Sequence, residues 1–103
     1  MTDAKPAIEI EYCTRCRWLL RAAWMAQELL STFEDDLGRV TLVPNAEGGV
    51  FEIRAGSHVI WSRKGEGRFP EITELKQRVR DVVAPEKDLG HADKAGKDKP
   101  DGG

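Results

Sequence analysis

Apolar and charged residues alternate near the start of the chain: Ile8, Ile10 and Tyr12 are separated by Glu9 and Glu11. A period of two predicts a strand with one dry and one wet face. From about residue 14 to residue 37 the period lengthens. Leu19, Ala22, Ala23, Ala26, Leu29, Leu30, Phe33 and Leu37 fall on one helical stripe, and Gly38 stands where a helix end favours positive φ. Leu20 and Trp24, one turn apart, project into the polar arc that also holds Arg17, Arg21, Glu28, Ser31 and Asp35. Residues 40–43 predict a short strand stopped by Pro44-Asn45, and Glu47-Gly48-Gly49 a loop with unusual backbone angles. Alternation returns over residues 50–55, Gly56-Ser57 is a two-residue hairpin turn, and residues 58–63 form the second arm. After a glycine-rich loop over residues 64–69, Pro70 is expected at the first position of a helix with Glu71 and Glu74 in its first turn. Ile72, Leu75, Val79 and Val82 form its stripe and Pro85 ends it.

The order β-α-β-β-β-α constrains the architecture. A strand-helix-strand unit makes its two strands parallel through a right-handed crossover, and the hairpin adds antiparallel partners. Glu9, Glu11, Thr41, Glu52 and Arg54 all lie opposite the apolar alternation, so one side of the sheet is wet. Both helices then cover the other side, giving an α/β two-layer sandwich with a four-stranded mixed sheet. With the last strand parallel to the first, residues 13–16, 44–49 and 64–69 share one sheet edge. The expected organisation is a flexible leader over 1–7, a domain over 8–85, and a disordered tail over 86–103, where Leu89 is the only sizeable apolar residue.

At 103 residues and 40% hydrophobic the chain suits one small domain, and a net charge of −2 with dispersed basic residues disfavours nucleic acid. No segment approaches the roughly 20 apolar residues of a membrane helix, and no signal peptide is visible. A cytoplasmic protein with no membrane role is expected. The only two cysteines, Cys13 and Cys16, stand at the predicted strand-to-helix junction. The short loop between them would remove little unfolded-state entropy, so a structural staple is a poor reading. Thiol–disulfide chemistry fits better, and a helix N-terminus aided by Arg15 and Arg17 would favour the Cys13 thiolate. Zinc needs about four ligands, and within one chain only His58 and His91 could supplement the sulfurs; a symmetric dimer sharing four thiolates is the rival, and neither metal nor cofactor is expected. Tyr12 reads as core packing with its hydroxyl at the sheet edge, with proton donation as the alternative. Leu20 and Trp24 either pack under the second helix or form a partner-binding patch. Lys64 and Arg68 read as solvated loop charges or as attractants for an anionic thiol such as glutathione.

Three segments in this order resemble the selenoprotein W-like group (selenoprotein W, T and H type) of the thioredoxin-like fold, in its all-cysteine bacterial form. They are Tyr12-Cys13-Thr14-Arg15-Cys16, Gly48-Gly49-Val50-Phe51-Glu52-Ile53, and Lys64-Gly65-Glu66-Gly67-Arg68-Phe69-Pro70. The resemblance covers roughly residues 8–84. It implies a thioredoxin-like domain and a thiol oxidoreductase or redox-regulatory role; taken with the residues, the expected function is a thiol–disulfide oxidoreductase in cell redox homeostasis whose partners are protein or small-molecule thiols and disulfides, glutathione or a thioredoxin system among them. Cys13 and Cys16 would be catalytic, with Tyr12, Arg15, Arg17, Gly48, Gly49, Gly67, Phe69, Leu20 and Trp24 binding or modulating. In selenocysteine-containing relatives the selenium occupies the position matching Cys16, whereas helix-terminus electrostatics favour Cys13, so both orders of attack stay open. Thioredoxins carry a cis-proline before the hairpin where this chain has Gly48-Gly49. A non-enzymatic redox-sensing adaptor that binds partners according to its disulfide state is the alternative function.

Overall fold

The alternation of Ile8, Ile10 and Tyr12 becomes β1 (Ala7–Cys13) in a computed structural model that describes residues 5–90. It is followed by α1 (Leu19–Thr32), β2 (Arg39–Asn45), β3 (Phe51–Ala55), β4 (His58–Ser62), a one-turn α2 (Arg63–Glu66) and α3 (Ile72–Val83). The strands form one sheet in the order β2-β1-β3-β4. β1 and β2 are parallel, while β3 is antiparallel to both β1 and β4, so β4 runs in the direction of β1. Ile10 lies beside Leu42 on one flank and Ile53 on the other, and Tyr12 beside Phe51, which aligns the apolar positions of three strands on one face. α1 and α3 touch each other and cover that face, burying Ala22, Met25, Ala26, Leu29, Leu75 and Val79. The opposite face is open, with Arg54 held by Glu9, Glu11 and Glu52. This is the expected thioredoxin-like two-layer α/β fold, its four-stranded mixed sheet covered on one face by the two long helices.

Local departures from the periodicity have identifiable causes. The long helix begins at Leu19 rather than near Thr14, because the chain first makes a turn in which Arg17 takes a left-handed φ of 61°. The Arg17 N–H bonds the Thr14 carbonyl at 3.0 Å and the Trp18 N–H bonds the Cys13 carbonyl at 3.3 Å. At the other end α1 stops at Thr32, and a separate turn carries Phe33 and Leu37 into the core. Gly38 is needed for space rather than for φ: a Cβ there would come within 3.0 Å of the Lys5 carbonyl oxygen. Met25, absent from the expected stripe, lies at its centre, and Leu19 and Leu30 are displaced to its exposed rim.

In β4 the pairing shifts between Ile53–Trp61 and Arg54–Val59, leaving Ile60 as an inserted residue. This β-bulge lets two consecutive residues, Ile60 and Trp61, face the core. β2 runs on through Pro44, which the outer position of that strand tolerates because no donor is needed there. Gly56, with φ 62°, makes the two-residue turn that pairs Ala55 with His58. The expected loop over 64–69 contains a helical turn, capped by the Ser62 hydroxyl accepting the Gly65 N–H and closed by Gly67 at φ 82°. α3 begins after Pro70: Glu71 is its N-cap and forms a capping box with Glu74. Of the expected tail, residues 86–90 are described; Leu89 is partly buried against the core and Lys87 pairs with Asp36 at 3.2 Å. The remainder, like residues 1–4 of the leader, lies outside the described residues.

Candidate redox site

Three chain segments converge on the two sulfurs at the sheet edge where β1, β2 and β4 end. β1 delivers Cys13, whose N–H bonds the Val50 carbonyl at 2.9 Å, while the Thr14 N–H bonds the Asn45 carbonyl at 2.9 Å. Cys13 and Cys16 are joined as a disulfide with their Cα atoms 5.4 Å apart. The two sulfurs differ in access. Cys13 is 0% exposed, whereas Cys16 is only partly buried. Each accepts one backbone hydrogen bond: the Cys16 N–H donates to Cys13 Sγ at 3.1 Å, and the Gly49 N–H donates to Cys16 Sγ at 3.4 Å. Such donors suit a thiolate better than a thiol. Because α1 begins only at Leu19, both cysteines precede its N-cap, Trp18, and the expected placement of Cys16 in the first helical turn does not occur. Gly49, at φ 83°, makes the turn that aims its N–H at Cys16.

An aromatic cluster fixes this edge. Trp18, Phe51 and Phe69 meet edge-to-face, with ring centroids 6.2, 4.8 and 5.1 Å apart. The Arg21 guanidinium lies 4.1 Å from the Phe69 centroid, and that of Arg63 lies 5.0 Å from Trp18. Trp18 therefore anchors the turn carrying Cys16 to the hairpin and to the segment before α3. Trp18 and Arg63 were not singled out from the sequence, and Phe51 and Asn45 entered only within a motif and as a strand stop, although a tryptophan two residues after Cys16 was a usable signal. Among the residues that were, Tyr12 is buried in the core, Phe69 is half-buried in the cluster, and Gly67 closes α2. Arg15, Arg17 and Gly48 are exposed beside the disulfide turn and the facing loop. Leu20 and Trp24 do not pack under α3: they are 80% and 47% exposed. Among the described residues no group of three or more His, Cys, Asp or Glu side chains could hold a metal.

Asn45 ties the site to the open sheet face. Its carbonyl accepts from Thr14, its side-chain oxygen accepts the Glu47 N–H at 2.8 Å, and its amide donates to Glu11 at 2.6 Å. Glu11 also accepts from Arg54 at 2.8 Å. The hydrogen bonds from Asn45 and Arg54 hold the Glu11 carboxyl below its ordinary value of 4.5, and Arg68 does the same for Glu74. A carboxyl that titrates lower in the folded chain stabilises it fully above the unfolded value, and the contribution disappears as pH falls through the folded one. The melting temperature is accordingly expected to drop on acidification below about pH 4.5, the ordinary value for these carboxyls. Glu11→Gln should shrink that drop, as read by circular dichroism melts across the acid range.

Residues 7–81 match the Rdx family. A crystal structure of a Bordetella parapertussis protein is similar at 61% identity with a TM-score of 0.74, over 77% of this chain and 99% of that one. A selenoprotein W-related protein from Vibrio cholerae is similar at 54% identity with a TM-score of 0.73, over 76% of this chain and 96% of that one. No curated protein matches the sequence.

Proposed function

The chain belongs to the Rdx family, and from that membership and the unequal exposure of its two sulfurs we propose a thiol–disulfide oxidoreductase whose attacking thiolate is Cys16. The Cys16 thiolate attacks a client disulfide, forms a mixed disulfide and expels one client thiolate. Cys13, lying beneath Cys16, attacks its sulfur, closes the Cys13–Cys16 disulfide and expels the second client thiolate. Two electrons pass from the dithiol to the client. An external thiol or dithiol, of the glutathione or thioredoxin type, then reduces the protein disulfide and resets the pair. Gly49 supplies an N–H to the attacking sulfur without a side chain on that loop. In a reducing cytoplasm this chemistry serves redox homeostasis.

The observation that carries this reading is the accessible Cys16 stacked on a buried Cys13. The exposed Leu20 and Trp24 favour a second reading, an adaptor whose disulfide state gates partner binding without turnover. Reduction of 2-hydroxyethyl disulfide with an external dithiol separates them. The oxidoreductase is expected to process many disulfides per protein molecule, whereas a single stoichiometric exchange with no further turnover would leave only the adaptor.

A further inference from the structure

The segment that runs from the disulfide turn along α1 is basic. Residues 14–27 hold Arg15, Arg17 and Arg21 and no acidic residue, in a protein whose net charge is −2. Several cations elsewhere are matched: Lys64 pairs with Glu47, Arg68 with Glu74, Lys76 with Glu28 and Arg78 with Glu66, while Lys5, Arg39 and Arg63 stand apart from one another in sequence without an ion pair among the described residues. Arg15, Arg17 and Arg21 have no ion-pair partner among the described residues, and Arg21 is held against Phe69. The first turn of α1 carries no acidic side chain, and its N-cap, Trp18, makes no side-chain capping bond, so the positive end of the helix adds to the same field. Within it, Leu20 and Trp24 lie one turn apart on the outer face of α1.

Exposed apolar residues on α1, close in sequence to three arginines without ion pairs and to a partly exposed sulfur, define the chemistry of what fits there. We propose that the α1 face formed by Leu20 and Trp24 with Arg15, Arg17 and Arg21 docks the client, an acidic protein segment with apolar side chains, and presents its disulfide to Cys16. This inference rests on the oxidoreductase reading and narrows its substrate class. The apolar pair supplies the desolvated centre of the contact, and the arginines supply attraction and orientation at its rim. An acidic client with apolar anchors satisfies both, whereas a basic one brings like charges against three arginines.

The test uses reduced full-length protein in single turnover with two synthetic peptides, each carrying the same disulfide and the same Leu and Trp residues, one flanked by Glu and the other by Lys. 2-Hydroxyethyl disulfide, neutral and too small to span the patch, is followed in parallel. The Glu-flanked peptide is expected to react at least about tenfold faster than the Lys-flanked one at low ionic strength, with the difference shrinking as salt is raised. In Arg15→Glu/Arg21→Glu the preference should reverse. In Leu20→Ser/Trp24→Ser the rate with the Glu-flanked peptide, divided by the rate with the small disulfide, should fall by about tenfold. Equal rates for the two peptides, or a ratio that survives both double variants, would overturn the docking surface while leaving the oxidoreductase reading in place. Loss of reaction with the small disulfide in the wild-type protein would instead overturn the oxidoreductase reading, and this one with it. A preference that follows binding to anionic lipid vesicles rather than to the Glu-flanked peptide would also overturn a protein client.

Discussion

Cys13→Ser protein is expected to accumulate a mixed disulfide through Cys16 when given a disulfide client, and Cys16→Ser protein to accumulate none. A client disulfide is a bulky electrophile that must approach the attacking sulfur in line, and Cys13, wholly buried with its N–H bonded to the Val50 carbonyl, offers no such path. Cys16 is partly exposed on the turn and receives the Gly49 N–H. Once Cys16 carries the client, Cys13 is the sulfur within reach, with the Cα atoms 5.4 Å apart. Replacing Cys13 removes only the second step, so the adduct persists, whereas replacing Cys16 removes the first and abolishes turnover. Intact-protein mass spectrometry after acid quenching, with alkylation of free thiols, reads both outcomes. An adduct on Cys16→Ser and none on Cys13→Ser would assign the attack to Cys13.

Trp61→Ala should be the most damaging single change to stability among the aromatic residues. The indole is 1% exposed and sits at the β-bulge, where β4, the end of α2 and α3 meet. Its Nε1–H donates to the Arg68 carbonyl at 3.0 Å, and the guanidinium groups of Arg78 and Arg68 lie 4.4 and 5.0 Å from its ring. Truncation removes the largest fully buried side chain, leaves a cavity and strands that carbonyl, for a cost of about 3–5 kcal/mol. Against a total stability of about 5–15 kcal/mol this is a large fraction. The melting temperature should fall by more than about 12 °C for a domain of this size. Trp61→Phe keeps much of the volume but loses the N–H donor, so it should cost only about 1–3 kcal/mol. Thermal and urea melts of both variants check this. Equal losses for the two would assign the effect to the hydrogen bond rather than to packing.

The periodicity of the chain by itself determined the four strands with their faces and the two long helices. Glu9 and Glu11 between Ile8, Ile10 and Tyr12, and Glu52 and Arg54 between Phe51, Ile53 and Ala55, are legible because side chains alternate across a strand whatever surrounds it. The same holds for the Gly56-Ser57 turn and for the order that brings three connections to one edge. The spacing of Cys13 and Cys16 likewise marked the chemistry, since a disulfide between them needs little beyond a local turn. Tertiary contact alone decided which sulfur is accessible. Cys13 is fixed by a backbone hydrogen bond to Val50 and buried, and Cys16 is met by Gly49, both more than thirty positions away in sequence. The late start of α1 at Leu19 was hidden for a similar reason. The left-handed Arg17 is sustained by Trp18 packing on Phe51 and Phe69, a cluster whose members are scattered along the chain. The exposure of Leu20 and Trp24 follows from the position of α3, which meets α1 elsewhere and leaves that face to solvent. Local pattern sets what a segment becomes, but burial and access are set by what distant segments bring against it.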